Sequence, residues 1–155
     1  MQGEMHMLYF DDVQIGLPMV SRSHALNQND MIAFARQWDP LPIHVDPVAA
    51  CDTPVNGLIA SGSHLAAIYA LLSNDGLDPP MAGVASLRHE LEILTPGRPG
   101  DVLTLTVTCL EKRPSGSKPD RGLVTMLSEL NNQNGATVMR IRSLNMLYRR
   151  PGSAS

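Results

Sequence analysis

The chain has 155 residues, of which 43% are hydrophobic and 17% charged, with a formal net charge of −3. That fits one domain with enough apolar material for a core, and excludes a disordered chain. The slight acid excess speaks against a nucleic-acid partner, which needs a concentrated basic face. No apolar run has the length to cross a bilayer, and Met1–Met7 lacks the basic and apolar regions of a secretory leader. Cys51 and Cys109 form neither a metal-ligand spacing nor a disulfide framework, so a reduced, cytoplasmic setting without a metal is expected.

In chain order, residues 1–7 read as a loose end, and the ordered core is expected over about 8–150 of a single domain, 1–155. Tyr9–Gly16 is turn-rich, and Met19–Leu26 alternates enough for a first strand. Asn27 or Asn29 caps a short helix with Asp30 in its first turn and Ile32, Phe34 and Ala35 as its buried side. That helix ends by Trp38, because Asp39 precedes a proline. Prolines at 40, 42 and 47 push Asp39, Leu41 and Asp46 out of the helical region, predicting a stiff, irregular loop. Asp46-Pro47 then starts a second short helix over roughly Pro47–Cys51.

Ser61–Leu72 is predicted as a helix without a polar face, hence a buried one. Ser73-Asn74-Asp75-Gly76 ends it, with Gly76 or Asn74 able to take the left-handed position. Leu87, His89, Leu91 and Ile93 alternate with charged residues, and Leu103, Leu105, Val107 and Cys109 alternate with threonines, so both runs read as strands. Leu123–Leu130 is a further strand, Asn134-Gly135 a hairpin turn, and Thr137–Tyr148 the last strand. In that strand Met139 and Ile141 lie on one side but Leu144 and Met146 on the other, a change of phase that predicts a bulge near Ser143. One strand, a buried helix and four strands describe an α+β domain whose antiparallel sheet wraps the helix. Pairing two copies edge to edge would protect its open edges.

The chemistry sits in Trp38–Ala50 and the start of the buried helix. Asp39 and His44, five residues apart in a stiff segment, are an acid and an imidazole held where they can move a proton to or from water. Each has a plainer reading, Asp39 as a loop cap and His44 as a structural histidine. Their pairing, and the placement of a carboxylate against the negative end of a helix dipole, favour a site. The unpaired N–H groups near Ser61-Gly62 can receive a developing negative charge. Gly62 also suits close packing against the sheet, and Ser61 suits an N-cap. Asp46 reads as the cap of the helix at Pro47, and His64 as a packing or capping residue. His6, His24 and His89 have no partner at a telling spacing, and the arginines, Arg98 among them, read as mostly solvated.

Asp39, Pro42, Ile43, His44 and Ala50, with Ile59-Ala60-Ser61-Gly62 after them, resemble the signature of the MaoC-like, (R)-specific enoyl-CoA hydratase family. The likeness runs from about Tyr9 to Tyr148; Leu41 stands where the family usually has Asn, Trp38 where Gly is common, and Ser61 where His often precedes the glycine. The resemblance implies a hot-dog fold, assembly as a homodimer or a multiple of dimers, and an acyl-CoA thioester substrate from fatty acid metabolism. It implies a hydro-lyase without a cofactor, converting trans-2-enoyl-CoA and (R)-3-hydroxyacyl-CoA. Asp39 and His44 would hold the water, with Gly62 and Ser61 at the thioester. A hot-dog thioesterase is the alternative, weakened because no carboxylate lies between Ser61 and Ser73, where those enzymes commonly carry one. A non-catalytic acyl-CoA binding protein is the other, kept open by Leu41, which is expected to narrow or dry the pocket beside the water.

Overall fold

The computed structural model describes residues 6–153, so most of the expected loose N-terminal end lies outside the described residues. Five antiparallel strands form one sheet: β1 (Met19–Ala25), β2 (Gly83–Ile93), β3 (Val102–Pro114), β4 (Arg121–Asn131) and β5 (Thr137–Tyr148). Their spatial order is β1-β3-β4-β5-β2. Between β1 and β2 come α1 (Gln28–Trp38), the single turn α2 (Pro42–Val45), α3 (Pro47–Cys51) and the central helix α4 (Gly62–Asp75). The sheet curls around α4 as expected. No helix among the described residues is long and apolar enough to cross a membrane.

Alternation builds the core. Leu103, Leu105, Val107 and Cys109 of β3 and Val124, Met126 and Leu130 of β4 are buried on one face, with Met139 and Ile141 of β5 beside them. Leu65, Ile68 and Leu72 of α4 meet that face. Each such side chain contributes about 1.5–3 kcal/mol on leaving water, so the sheet–helix contact dominates stability. The helix is not covered all round: Ala67, Ala70 and Leu71 stay open in the single chain.

Several local expectations are corrected. In α1 the buried pair is Met31 and Ala35, one turn apart, with Ile32 and Phe34 half-buried; the cap at Asn27, whose side chain accepts the Asp30 N–H, sets that phase. The proline segment is not wholly irregular, because Pro42 occupies the first position of α2, where its fixed φ suits a helix and no N–H is needed. Helix α4 runs three residues past Leu72, and Gly76 is right-handed (φ −95°). A glycine is required there for space, since a Cβ would stand 2.6 Å from the Leu72 carbonyl oxygen. The bulge near Ser143 lies on the opposite strand. The β4–β5 register is regular through Ser143, whereas β2 shifts between Ser86 and Arg88, leaving Leu87 as the extra residue. The inner face of β5 therefore continues from Met139 and Ile141 into Ser143 and Asn145, two polar residues pointing at the helix side.

Candidate active site

Asp39 is the C-cap of α1: its N–H closes the helix on the Ala35 carbonyl at 2.8 Å, and its backbone leaves the helical region (φ −158°, ψ 70°). The Leu41 N–H turns back onto the Asp39 carbonyl at 2.8 Å, and α2 follows, carrying His44 inward until it is 6% exposed. The His44 Nδ1–H donates to the Ile59 carbonyl at 2.8 Å. A carbonyl only accepts, so that bond places the proton on Nδ1 and turns Nε2 toward Asp39, 3.5 Å from Oδ2. The same Oδ2 accepts the Ser61 hydroxyl at 2.7 Å, while Ser61 Oγ accepts the Ser63 N–H at 3.2 Å. Ser61 is thus both the N-cap of α4 and an orienting donor for the carboxylate.

The segment carrying Ile59 is clamped. The Ile59 N–H donates to Ile43 and the Ala60 N–H to Gly97, at 3.1 and 2.8 Å. Gly97 permits that approach, since a Cβ there would lie 3.2 Å from both Leu26 and Leu65. The Arg98 guanidinium donates to the carbonyls of Val55 (2.5 Å), Asn56 and Leu58, fastening the loop that precedes Ile59. Arg98 is therefore not a solvated surface residue. No local pattern marks it, because its partners lie some 40 positions earlier in the chain.

Asp39, His44 and Gly62 line one cavity of about 690 Å³, whose other walls include Leu65, Leu91 and Ile93. A Cβ on Gly62 would stand 2.5 Å from Ile93 Cδ1, so the glycine lets β2 approach the helix start. As the first residue of α4, Gly62 has an N–H without an intrahelical acceptor. Leu41 does not join the site: its side chain is 53% exposed and lines no part of this cavity, so it neither narrows nor dries it. Asp46 caps α3, accepting the Val48 and Ala49 N–H groups, as its position suggests. His64 packs instead of reacting: it stacks on Phe34 at 4.6 Å, its Nδ1 has no partner, and burial holds its pKa below the ordinary 6.5. His89, which sequence spacing left without a partner, sits 2.6 Å from the Ser86 hydroxyl.

The geometry has a chemical consequence. With one proton fixed on Nδ1 by the Ile59 carbonyl, the Nε2 of a singly protonated imidazole presents a lone pair beside a carboxylate oxygen, two acceptors facing one space. A water molecule placed there can donate one hydrogen to each, which leaves its oxygen lone pairs pointing outward. The surrounding walls are mostly apolar, which suits the body of a hydrophobic ligand.

A family model described as MaoC like domain matches residues 13–131. A crystal structure of a MaoC-like dehydratase from Rhodospirillum rubrum superposes with a TM-score of 0.88 at 38% identity, covering 93% of this chain and 99% of that one. An uncharacterized protein, YdeM, of Bacillus subtilis is 31% identical over 83% of this chain and 90% of its own length. A 3-hydroxybutyryl-CoA dehydratase of Methylorubrum extorquens is 29% identical over 72% of this chain and 69% of its own length.

Proposed function

Because the chain belongs to the MaoC-like dehydratase family, we propose that it is an enoyl-CoA hydratase, adding water to a trans-2-enoyl-CoA to form the (R)-3-hydroxyacyl-CoA, or removing it in reverse. The observation that carries this reading is the pair of acceptors, Asp39 Oδ2 and His44 Nε2, 3.5 Å apart on a shared cavity. Water held between them attacks C3, and Asp39 takes its proton. The pair returns a proton to C2 on the same face. As the C3–O bond forms, electron density moves into the thioester carbonyl, and the unpaired Gly62 N–H at the start of α4 stabilises the enolate oxygen. Ser61 acts on the base, because its hydroxyl donates to the same Asp39 Oδ2 that faces His44 Nε2 and holds that oxygen in place.

The reading extends to assembly. Strand β2 is one of the two edge strands, and Leu87, Leu91 and Ile93 on it are 44–54% exposed, an apolar surface of the kind that invites pairing. Leu91 and Ile93 also wall the catalytic cavity, so a second copy paired along β2 would close its open side. The protein is therefore a homodimer or a multiple of dimers. The deciding experiment follows the loss of enoyl-thioester absorbance with crotonyl-CoA and longer homologues. Hydration by the wild-type protein supports the assignment, and inactivity across all chain lengths overturns it. Light scattering that finds a monomer at micromolar concentration overturns the assembly.

A further inference from the structure

Beyond the cavity at Asp39 and His44, a second cavity of about 320 Å³ lies along the same two elements, α4 and β2. On the helix its wall moves one turn on, from Ala66 to Ala70 and Ser73; on β2 it moves from Leu91 to His89 and Ser86. Its floor is the inner face of the sheet, where apolar side chains give way to Ser128 and Ser143, 1% and 2% exposed, and to Asn145. A packed core would carry Leu or Val at such positions. Buried hydroxyls retained at a void point to a ligand with polar character.

The hydrogen bonds fix what that ligand presents. The Ser86 hydroxyl donates to Asn145 Oδ1 at 2.8 Å, so its single proton is committed. His89 Nε2, 2.6 Å away, must then be the donor to Ser86 Oγ, which rules this serine out as an activated nucleophile. Asn145 Nδ2 in turn donates to Ser143 Oγ at 2.8 Å. The relay runs from His89 through Ser86 and Asn145 and ends on the Ser143 hydroxyl, whose proton has no acceptor among the described residues. The Ser128 hydroxyl opens onto the same cavity, and no lysine or arginine lines it. What is offered is a pair of neutral donors without a countercharge, suited to an uncharged oxygen and poorly suited to a carboxylate.

We propose that this cavity is a subsite for an uncharged oxygen, hydroxyl or oxo, at the far end of the acyl chain, so that the substrate is an oxygenated medium-chain acyl thioester. The inference rests on the hydratase reading for its thioester end. Ile93 lies against Gly62, and His89 lies four positions before it on the strand, a span of about 13 Å. An extended chain of roughly ten carbons covers that distance.

The test compares binding of decanoyl-CoA, 10-hydroxydecanoyl-CoA and the CoA monothioester of decanedioic acid by titration calorimetry, with hydration of crotonyl-CoA measured in parallel. The hydroxylated chain should bind wild-type protein roughly tenfold or more tightly than the plain chain, and the carboxylate-ended chain should bind no better than the plain one. Ser143→Ala and Asn145→Leu should each bring the hydroxyl-to-alkyl ratio toward one; Ser143→Ala removes a single oxygen, so folding is retained. Asp39→Asn should lower hydration by roughly 10²–10⁴-fold while keeping the ratio. Equal or tighter binding of decanoyl-CoA by the wild type overturns the subsite even if crotonyl-CoA is hydrated, and tightest binding of the carboxylate-ended chain overturns the uncharged assignment. A retained preference without hydration upholds the subsite and sinks only the hydratase reading.

Discussion

His44 and His64 are buried to nearly the same degree, 6% and 8% exposed. Around His44 both ring nitrogens are assigned: Nδ1–H to a carbonyl, Nε2 to the Asp39 carboxylate across a cavity. Around His64 the ring stacks flat on Phe34, Nδ1 has no partner, and burial disfavours the charged form. Equal burial therefore leaves the two imidazoles in different chemical settings. What distinguishes the two is a second-row partner that fixes the tautomer and an open space in front of the remaining nitrogen.

The largest contrast should appear in activity. Asp39→Asn and His44→Ala should each lower hydration by roughly 10²–10⁴-fold, the range for a positioned acid–base group, with melting temperature little changed. The double variant should lose scarcely more than either single one, because the two residues hold one water as a unit. His64→Phe, which keeps the stack and drops the nitrogens, should retain most of the wild-type rate in the same assay. Loss of activity in His64→Phe equal to that in His44→Ala would erase the distinction.

Ser61→Ala sharpens the His44 side of the comparison. It removes the donor to Asp39 and the N-cap of α4 together, so both rate and stability should fall. The cap alone accounts for about 0.5–2 kcal/mol, readable by denaturant titration, and the lost bond to a carboxylate for a rate reduction of roughly tenfold or more. Ser61→Thr, which keeps the hydroxyl, should recover much of both.

The His64 side is read by pH. Its pKa in the folded protein lies below the unfolded value near 6.5. Below that value the unfolded chain binds a proton that the folded chain resists, so stability declines as pH falls from about 7 toward 5. His64→Phe should flatten that slope without altering stability at neutral pH by the same amount. An unchanged slope would show that the imidazole charges freely in the folded state.

The smallest effect is expected at Leu41. Its side chain is exposed and outside the cavity, so Leu41→Asn should change stability by no more than about 0.5 kcal/mol and leave the hydration rate near wild type. A large rise in activity would mean that Leu41 meets the site through a second copy of the chain.

Much of this was legible because it depends on period and local chemistry. Alternation in Leu103–Cys109 and the apolar run in Leu65–Leu72 specify a half-buried strand and a core helix, since side-chain direction follows from backbone period alone. The cap and proline signals at Asn27 and Asp46 are likewise settled within a few residues. Asp39 and His44 could be singled out because one short, proline-stiffened segment holds both. Gly62 could be, because a helix start announces itself. By contrast, Arg98 on the carbonyls before Ile59, Ser61 on Asp39, and Ile59 on His44 bridge 15 to 43 positions, and no window of sequence contains both ends of those bonds. The same holds for the bulge, whose extra residue could belong to either partner strand until register was fixed; the pairing put it in β2 and turned Ser143 and Asn145 inward. The sequence by itself determined the five strands and the central helix, and it singled out the acid–imidazole pair. That Nδ1 of His44 carries a proton, where Leu41 points, and that a polar cavity lies beyond the one at Asp39 and His44 were decided only when distant segments met, because hydrogen-bond partners and voids are properties of packing and have no local period.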